Sequence, residues 1–301
     1  LAFYMGYSQS FNNLNYKNNN VFGSEINSIK LAESLASLYD VYIFVNTEEE
    51  LTYNNVTYLN FDKINTFDIF DILIIVRYIN FFLNFKHIAK KTFIWVCDTI
   101  INPYYNGLIL YNNASSLLYN LKDKINNIVC LSDWHRNNLH NVYNLDLYKH
   151  CIIPNPLDLS YYKDNIPIVE NSFIYMSDPN RGLIILLDCL IYIQNSINIS
   201  LTVFRKEEFT EDIVEKIKVL NNVKIYGKES QEVIANECLR SEYFFYPTNF
   251  PETFCNCAAE AQLYKTVCIY NNIGSLNTII NDRGLQINYD INDPNYINKT
   301  C

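Results

Sequence analysis

Short runs of apolar residues recur along the chain at intervals that leave room for a helix between them. Within these runs the apolar character is continuous rather than alternating, which is typical of strands covered on both faces in a parallel sheet. The pattern predicts strands at Phe3–Met5, Val41–Val45, Val56–Leu59, Ile72–Val76, Phe93–Val96, Ile128–Leu131, Phe173–Met176, Leu201–Phe204, Val223–Tyr226, Tyr243–Tyr246 and Val267–Tyr270.

The segments between these runs include amphipathic helices. In Ser24–Tyr39 the apolar side chains keep helical spacing, at Ile26, Ile29, Ala32, Leu35, Ala36 and Tyr39. Strands that alternate with helices predict a doubly wound α/β architecture with parallel sheets.

One segment interrupts the alternation and predicts a domain boundary. Pro154 and Pro156 remove two backbone donors within three residues and favour extended backbone, which suits a hinge. The strand and helix pattern then restarts at Phe173. We therefore predict two Rossmann-like domains, 1–156 and 157–301, with a cleft between them.

The composition narrows the class of protein. The chain has 301 residues, of which 49% are hydrophobic, so it can form a substantial core. Its net charge of -9 repels a phosphate backbone at long range, and no nucleic-acid partner is expected. No apolar run approaches the roughly 18 residues of a membrane span, so no integral membrane segment is predicted.

The cysteines and histidines give no sign of a metal site. The nine cysteines include no C-x-x-C pair, which favours free thiols in a reducing compartment and hence a cytoplasmic protein. Cys255 and Cys257 form an isolated C-x-C, and the four histidines lack metal-ligand spacing. No metal and no separate cofactor are therefore predicted, and His135 and His140 are expected at the surface.

Two carboxylates form the strongest candidate site. Glu252 and Glu260 converge best if Glu252 lies in a loop after a strand and Glu260 lies on the next helix. The free amides at that helix N-terminus, from about Phe254 through Cys255 to Asn256, suit a diphosphate. Two carboxylates repel phosphate unless each meets hydroxyl groups, and a nucleotide sugar offers hydroxyls at both ends.

Four segments match motifs of a known enzyme family, and they occur along the chain in the family's order. Glu252 and Glu260 match an E-x7-E element, and Gly23–Glu25 resembles a G-G-x-E loop before the first long helix. Ile153–Asp158 resembles a P-N-G-V-D linker, and Ser177–Leu183 resembles an S-x-P-x-R-G-L motif. Together they resemble the retaining glycosyltransferases of family 4, whose GT-B fold has two Rossmann-like domains.

The resemblance implies roles for the matching residues. Glu260 is expected to accept hydrogen bonds from the ribose hydroxyls, and Glu252 to contact hydroxyls of the transferred sugar. Arg181 is expected to pair with the departing diphosphate, because the guanidinium fork matches two phosphate oxygens and stays charged. Asp98 is a further candidate catalytic residue.

Other positions are candidates for donor binding. Gly23 and Ser24 offer amides at a helix N-terminus, although a plain turn with Ser24 as N-cap explains them as well. Lys206 follows a predicted strand and could assist Arg181, but a solvated surface charge is the alternative. Tyr226 ends the next strand, where the resemblance places the nucleobase.

The resemblance implies a retaining, metal-independent transfer of a sugar from a nucleotide-diphosphate sugar to a glycan, lipid or protein acceptor. The chain has no Asp-x-Asp and no Gly-x-Gly-x-x-Gly, which disfavours metal-dependent transferases and dinucleotide enzymes. Cys97 stands where this branch usually has His, and the C-terminus at Cys301 is expected to be truncated. Both features favour an alternative, a catalytically silent GT-B module that binds sugar or glycan. A two-lobed epimerase is a second alternative.

Overall fold

The structure is a computed structural model that describes residues 1–6, 23–86, 89–101, 104–105, 108–109, 114–144, 146, 149–205 and 208–301. It divides into two compact units, Leu1–Pro156 and Leu157–Cys301. Lys206, a predicted donor-binding residue, lies outside the described residues.

The strands of the first unit are β1 (Ala2–Met5), β2 (Val41–Val45), β3 (Leu51–Tyr53), β4 (Val56–Asn60), β5 (Phe70–Val76), β6 (Ala89–Trp95), β7 (Tyr104–Tyr105), β8 (Leu108–Ile109), β9 (Asn127–Cys130) and β10 (His150–Ile152). Eight of these form one sheet in the order β10-β9-β6-β5-β1-β2-β4-β3. All neighbours in it are parallel except β3 and β4, and β7 and β8 form a separate antiparallel pair.

Helices in this unit are α1 (Gly23–Leu35), α2 (Phe81–Asn84), α3 (Ala114–Asn120), α4 (Asp133–Tyr143) and a 3-10 helix, Phe61–Thr66. Two clusters of buried apolar side chains support the sheet. One is rich in aromatic rings, including Tyr4, Phe44 and Phe81, and the other is mainly aliphatic, including Ile94 and Leu139.

The second unit has six parallel strands among its described residues, β11 (Val169–Tyr175), β12 (Ser200–Phe204), β13 (Val223–Tyr226), β14 (Ser241–Tyr246), β15 (Val267–Asn271) and β16 (Leu285–Ile287). Their order in the sheet is β13-β12-β11-β14-β15-β16. The helices are α5 (Leu183–Ile193), α6 (Glu211–Val219), α7 (Gln231–Arg240), α8 (Asn256–Leu263), α9 (Leu276–Ile280), α10 (Tyr296–Thr300) and two 3-10 helices, Leu159–Tyr161 and Asn281–Arg283.

Both large sheets have the strand order of a Rossmann fold. The chain order reverses between β1 and β5 in the first unit and between β11 and β14 in the second. Ligands of open α/β sheets bind outside the carboxyl ends of the strands at this reversal. The predicted α/β class with two parallel Rossmann-like sheets is confirmed, with β3 as the antiparallel edge strand. None of the helices in the described ranges has the length and hydropathy of a membrane span.

Gly182 allows two loops to meet at the reversal of the second sheet. It precedes α5 with a φ of 106°, in the left-handed region that favours glycine. A Cβ atom at this position would lie 2.0 Å from the carbonyl oxygen of Pro247, directly after β14. Glycine is therefore required for the loop after β11 to pack on the loop after β14.

We expect Gly182→Ala to lower the free energy of unfolding by about 2–4 kcal/mol, because it adds backbone strain and a clash with rigid backbone. Urea denaturation followed by circular dichroism measures the change. Gly227→Ala is the matched control, since a Cβ atom there meets nothing within 4 Å. Equal stability of the two variants would contradict the close approach at Gly182.

Candidate functional site

The reversal of strand order in the second sheet brings two of the predicted site residues into contact. Arg181 lies in the turn between β11 and α5, and Glu252 lies in the loop between β14 and α8. Arg181 Nη1 donates to Glu252 Oε1 at 2.9 Å. The Glu252 residue is only 7% exposed, and a carboxylate buried to this extent needs a charged or hydrogen-bonding partner.

Two buried hydroxyls orient the same carboxylate. Tyr246, the last residue of β14, donates its hydroxyl proton to Glu252 Oε1 at 2.7 Å. Since that proton is already used, Ser177 Oγ acts as the donor to the Tyr246 oxygen, at 3.1 Å. Burial raises the pKa of Tyr246 well above its usual range, which keeps this hydroxyl a donor.

Both hydrogen bonds reach one oxygen of Glu252. Oε1 accepts from Tyr246 and Arg181, whereas within the described part of the chain no donor is bonded to Oε2. A carboxylate held in this way has a fixed plane, and its second oxygen retains its capacity to accept hydrogen bonds. Oε2 is therefore the atom through which Glu252 can bind ligand hydroxyls.

Arg181 is also held by an aromatic ring. Its guanidinium carbon lies 3.9 Å from the ring centroid of Phe250, a distance at which a cation is attracted to the ring face. Burial lowers the pKa of Arg181, but the Glu252 carboxylate outweighs this effect and the pKa is raised. The side chain remains 36% exposed, so the N–H groups not used on Glu252 can pair with an anion.

A neighbouring loop fixes the main chain of Glu252. The N–H of Ser275 donates to the Glu252 carbonyl oxygen at 2.8 Å. Gly274 has a φ of 61°, and a Cβ atom there would lie 2.5 Å from the Glu252 nitrogen. The loop after β15 therefore packs directly on the backbone that presents the carboxylate.

The predicted residues around α8 lie at its start and on its second turn. Phe254 and Cys255 are buried just before the helix, and Cys255 has a φ of 68°, a left-handed conformation that costs free energy for a non-glycine residue. Burial raises the pKa of Cys255 well above its usual range, so the thiol is uncharged beside the helix N-terminus. Glu260 is half-buried on α8. The pKa of Tyr264 is raised first by the burial of Tyr264 itself and then by the nearby charge of Glu260.

Asp98 belongs to a second polar cluster, in the first unit. It lies just after β6, and its Oδ2 is 2.8 Å from Nε of Arg77, which follows β5. Arg77 Nη2 donates to Asp98 Oδ1 at 3.3 Å. Arg77 has a φ of 64°, which is uncommon for a residue with a side chain, and its N–H is held by the carbonyl of Trp95 at 2.9 Å.

Gly23 and Ser24 form the first described residues of α1. Ser24 is therefore inside the helix rather than at its N-cap, and its hydroxyl donates to Glu25 Oε2 at 2.8 Å. Glu25 is buried, and its charge acts with that of Asp98 to raise the pKa of Arg77 against the effect of burial. Two carboxylates and one guanidinium give this cluster a net negative charge.

His135 fixes the backbone of Asp98, and the prediction that it is a surface residue is wrong. His135 is 0% exposed on α4. The N–H of Leu131 donates to its Nδ1 at 3.2 Å, so Nε2 carries the proton and donates to the Asp98 carbonyl at 2.9 Å. Burial lowers the pKa of His135 to about 4, so the ring is neutral near pH 7.

Cys97 precedes Asp98 and is half-buried. Burial raises the pKa of its thiol to about 12, and its Sγ donates to the carbonyl of Trp95 at 3.8 Å. At neutral pH the thiol is protonated, so it is neither a base nor a nucleophile.

Tyr226 ends β13 and already has partners. Its ring stacks on Phe204 with centroids 4.9 Å apart, and its hydroxyl donates to Glu237 Oε1 at 2.8 Å. The Lys224 ammonium lies 4.5 Å from the ring centroid. An incoming planar ligand has to share or displace these contacts.

Sequence reasoning missed several residues of these clusters. Tyr246 closes an apolar run that predicts only a strand, whereas its hydroxyl is the donor to Glu252. Arg77 could have been found from the sequence, because it is a cation directly after the apolar run of β5, the strand beside the reversal of chain order in the first sheet.

In the described part of the chain, no group of three or more His, Cys, Asp or Glu side chains is placed to hold a metal ion.

The fold is shared with solved glycosyltransferases. A glycosyltransferase from Rickettsia africae is 16% identical with a TM-score of 0.70, over 95% of this chain and 83% of that protein. WaaG, a glycosyltransferase involved in lipopolysaccharide biosynthesis, is 14% identical with a TM-score of 0.69, over 99% and 89%. HepE from Anabaena, solved in complex with UDP, is 12% identical with a TM-score of 0.67, over 95% and 85%. No family model and no curated protein sequence matches the chain.

The buried His135 predicts a loss of stability in mild acid. Below its unfolded pKa of about 6.5 the unfolded chain binds a proton at His135, whereas the folded chain does not until about pH 4. Protons therefore favour the unfolded state over this window, and the free energy of unfolding falls as pH drops from 6.5 to 4. At pH 5 the contribution is about 2 kcal/mol.

Urea denaturation at pH 7 and pH 5 tests this expectation. His135→Gln should reduce the loss of stability between the two pH values by about 2 kcal/mol relative to the natural chain. His140→Gln, a replacement of the other histidine on the same helix, is the matched control. An identical pH dependence in all three proteins would show that His135 is not the neutral buried group described.

Proposed function

We propose that the chain is a retaining, metal-independent glycosyltransferase that moves a sugar from a nucleotide-diphosphate sugar to a glycan, lipid or protein acceptor. The observation that supports this most directly is the contact of Arg181 with Glu252 at the reversal of the second sheet. It places a cation suited to a diphosphate beside a carboxylate suited to sugar hydroxyls. The shared fold with solved glycosyltransferases supports the same class.

The second unit binds the donor in this proposal. Arg181 pairs with the diphosphate through the N–H groups that do not contact Glu252, and the amides at Phe254, Cys255 and Asn256 add to it at the start of α8. Glu252 accepts hydrogen bonds from the transferred sugar at Oε2. Glu260 does the same for the ribose hydroxyls, and the nucleobase lies near Tyr226.

The chemistry requires charge stabilisation rather than a protein nucleophile. The bond between the anomeric carbon and the diphosphate oxygen breaks while the acceptor oxygen attacks the same face. The departing diphosphate takes the acceptor proton, and Arg181 stabilises the negative charge that develops on it. Because attack and departure occur on one face, the product keeps the anomeric configuration of the donor.

The first unit binds the acceptor. Asp98 offers a carboxylate that can orient an acceptor hydroxyl, and the amides of Gly23 and Ser24 at the start of α1 remain candidates for donor binding. The net negative charge of Glu25, Arg77 and Asp98 disfavours an anionic group at this point and favours a neutral hydroxyl.

A second candidate function is a catalytically silent module that binds a sugar or glycan. The observation that favours it is Cys97, whose thiol stays protonated with a pKa of about 12 at the position where the resembling enzymes have His. Such a module binds the nucleotide sugar or glycan without breaking it.

Nucleotide binding tests the donor site. We expect Arg181→Lys, which keeps the charge but loses the fork, and Glu260→Gln to weaken the affinity for UDP, GDP or dTDP by about 10- to 100-fold, because each loses charge-assisted hydrogen bonds. Isothermal titration calorimetry measures the dissociation constants. Arg240→Lys and Glu232→Gln, exposed changes on α7, are matched controls and should bind as the natural chain does. Unchanged affinity in both site variants would remove this assignment.

Product analysis tests the reaction. Incubation with UDP-, GDP- and dTDP-sugars and simple glycan acceptors should give a new glycoside with the donor's anomeric configuration, read from its proton couplings by NMR, and equal yield with EDTA. An inverted linkage would overturn the retaining mechanism. Isomerised free sugar would identify an epimerase, and binding without turnover would favour the silent module.

A further inference from the structure

A cavity of about 500 Å³ opens beside the candidate donor site, at the carboxyl ends of β15 and β16. This volume is typical of a site for a small ligand. Six of its eleven lining residues are Asn or Gln, including Asn249, Asn272, Gln286 and Asn288, and the others are three isoleucines, Tyr289 and Asp290. We call this cavity the amide pocket.

Hydrogen bonds connect the segments that line the amide pocket. Asn271, which is buried, donates through Nδ2 to the Tyr289 carbonyl at 3.2 Å and accepts from the Tyr296 hydroxyl at 2.8 Å. These two bonds tie the end of β15 to the loop after β16 and to α10. The backbone around Asn271 is thus held before a ligand binds, which lowers the ordering cost of binding.

The rim offers paired donors and acceptors. Gln286 Nε2 donates to Asn288 Oδ1 at 2.6 Å, which leaves the Gln286 oxygen as an acceptor and the Asn288 amino group as a donor for other partners. Alternating donors and acceptors match hydroxyl groups, each of which both donates and accepts. Tyr289 is 47% exposed, and its ring presents an apolar surface for the C–H face of a sugar ring.

The charge of the amide pocket selects against anions. None of the described residues that line it is cationic, and Asp290 is an acid. The ammonium of Lys299, 5.8 Å from the Tyr289 ring centroid, is already paired with Asp293. A ligand that carries phosphate or carboxylate would thus meet repulsion, whereas a neutral polyol would not.

We propose that the amide pocket binds a neutral, hydroxyl-rich saccharide. Two features connect it to the candidate donor site. Asn249 lies in the same loop as Glu252, and Asn272 begins the loop whose Gly274 and Ser275 pack on the Glu252 backbone. Saccharide binding goes beyond the proposed function, whereas a role for the pocket in sugar transfer rests on that function.

Saturation-transfer NMR on the full chain, without nucleotide, tests the amide pocket. The probes are neutral trisaccharides of glucose, galactose, mannose and N-acetylglucosamine. We expect at least one to bind, and Tyr289→Ala and the double variant Gln286→Ala/Asn288→Ala each to weaken it at least about tenfold, because stacking and hydrogen bonds are lost. Tyr192→Ala, an exposed tyrosine on α5, is the matched control and should bind normally.

Three results would overturn the proposal: no trisaccharide binds, binding is the same in the pocket variants, or UDP alone displaces the saccharide. The NMR test with trisaccharides needs no nucleotide. Its result is therefore independent of the proposed sugar transfer, and either one can fail while the other succeeds.

A second titration identifies the source of the saccharide. Displacement by UDP-glucose but not by UDP assigns the pocket to the donor's sugar. Simultaneous binding of the trisaccharide and UDP-glucose assigns it to an acceptor glycan.

Discussion

The free energy cost of burying a carboxylate has to be offset by hydrogen bonds or a nearby cation. The arrangement of the second unit follows from how Glu252 obtains these partners. Arg181 and Tyr246 reach the carboxylate from the loop after β11 and the end of β14, the two strands at which the chain order reverses. The close approach at Gly182 makes that meeting possible. Since both donors use Oε1, the same contacts that offset burial also leave the second oxygen for a ligand.

The first unit also pairs an arginine with an acidic side chain, although the carboxylate of Asp98 is half-exposed rather than buried. Arg77 follows β5, which borders the reversal of the first sheet, and it pairs with Asp98 after the neighbouring strand β6. The neutral ring of His135 holds the Asp98 carbonyl, so the backbone is fixed by a group without charge. Each Rossmann-like sheet therefore places one arginine and one acidic side chain together at the carboxyl ends of its strands.

Much of the fold could be predicted from the sequence because parallel strands covered on both faces have continuous apolar runs. The short edge strands lacked that signal, since β3, β10 and β16 have only three residues each. The contact of Arg181 with Glu252 depends on loop geometry that no spacing rule specifies. Tyr246 could be assigned to the core but not to Glu252, because the hydrogen bond depends on tertiary placement. His135 was misplaced because a polar helix segment does not reveal a carbonyl acceptor 37 residues away.

The short strands at the margins have a consequence for the behaviour of the protein in concentrated solution. The outermost strands of the two large sheets are β3, β10, β13 and β16, and they contain only three or four residues. The unpaired backbone groups of an edge strand can pair with a strand of another chain, and a short edge strand offers fewer groups for this pairing. On β13, which has four residues, Lys224 adds a charge that any incoming strand would have to desolvate. The architecture thereby resists intermolecular sheet growth even though its interior strands are strongly apolar.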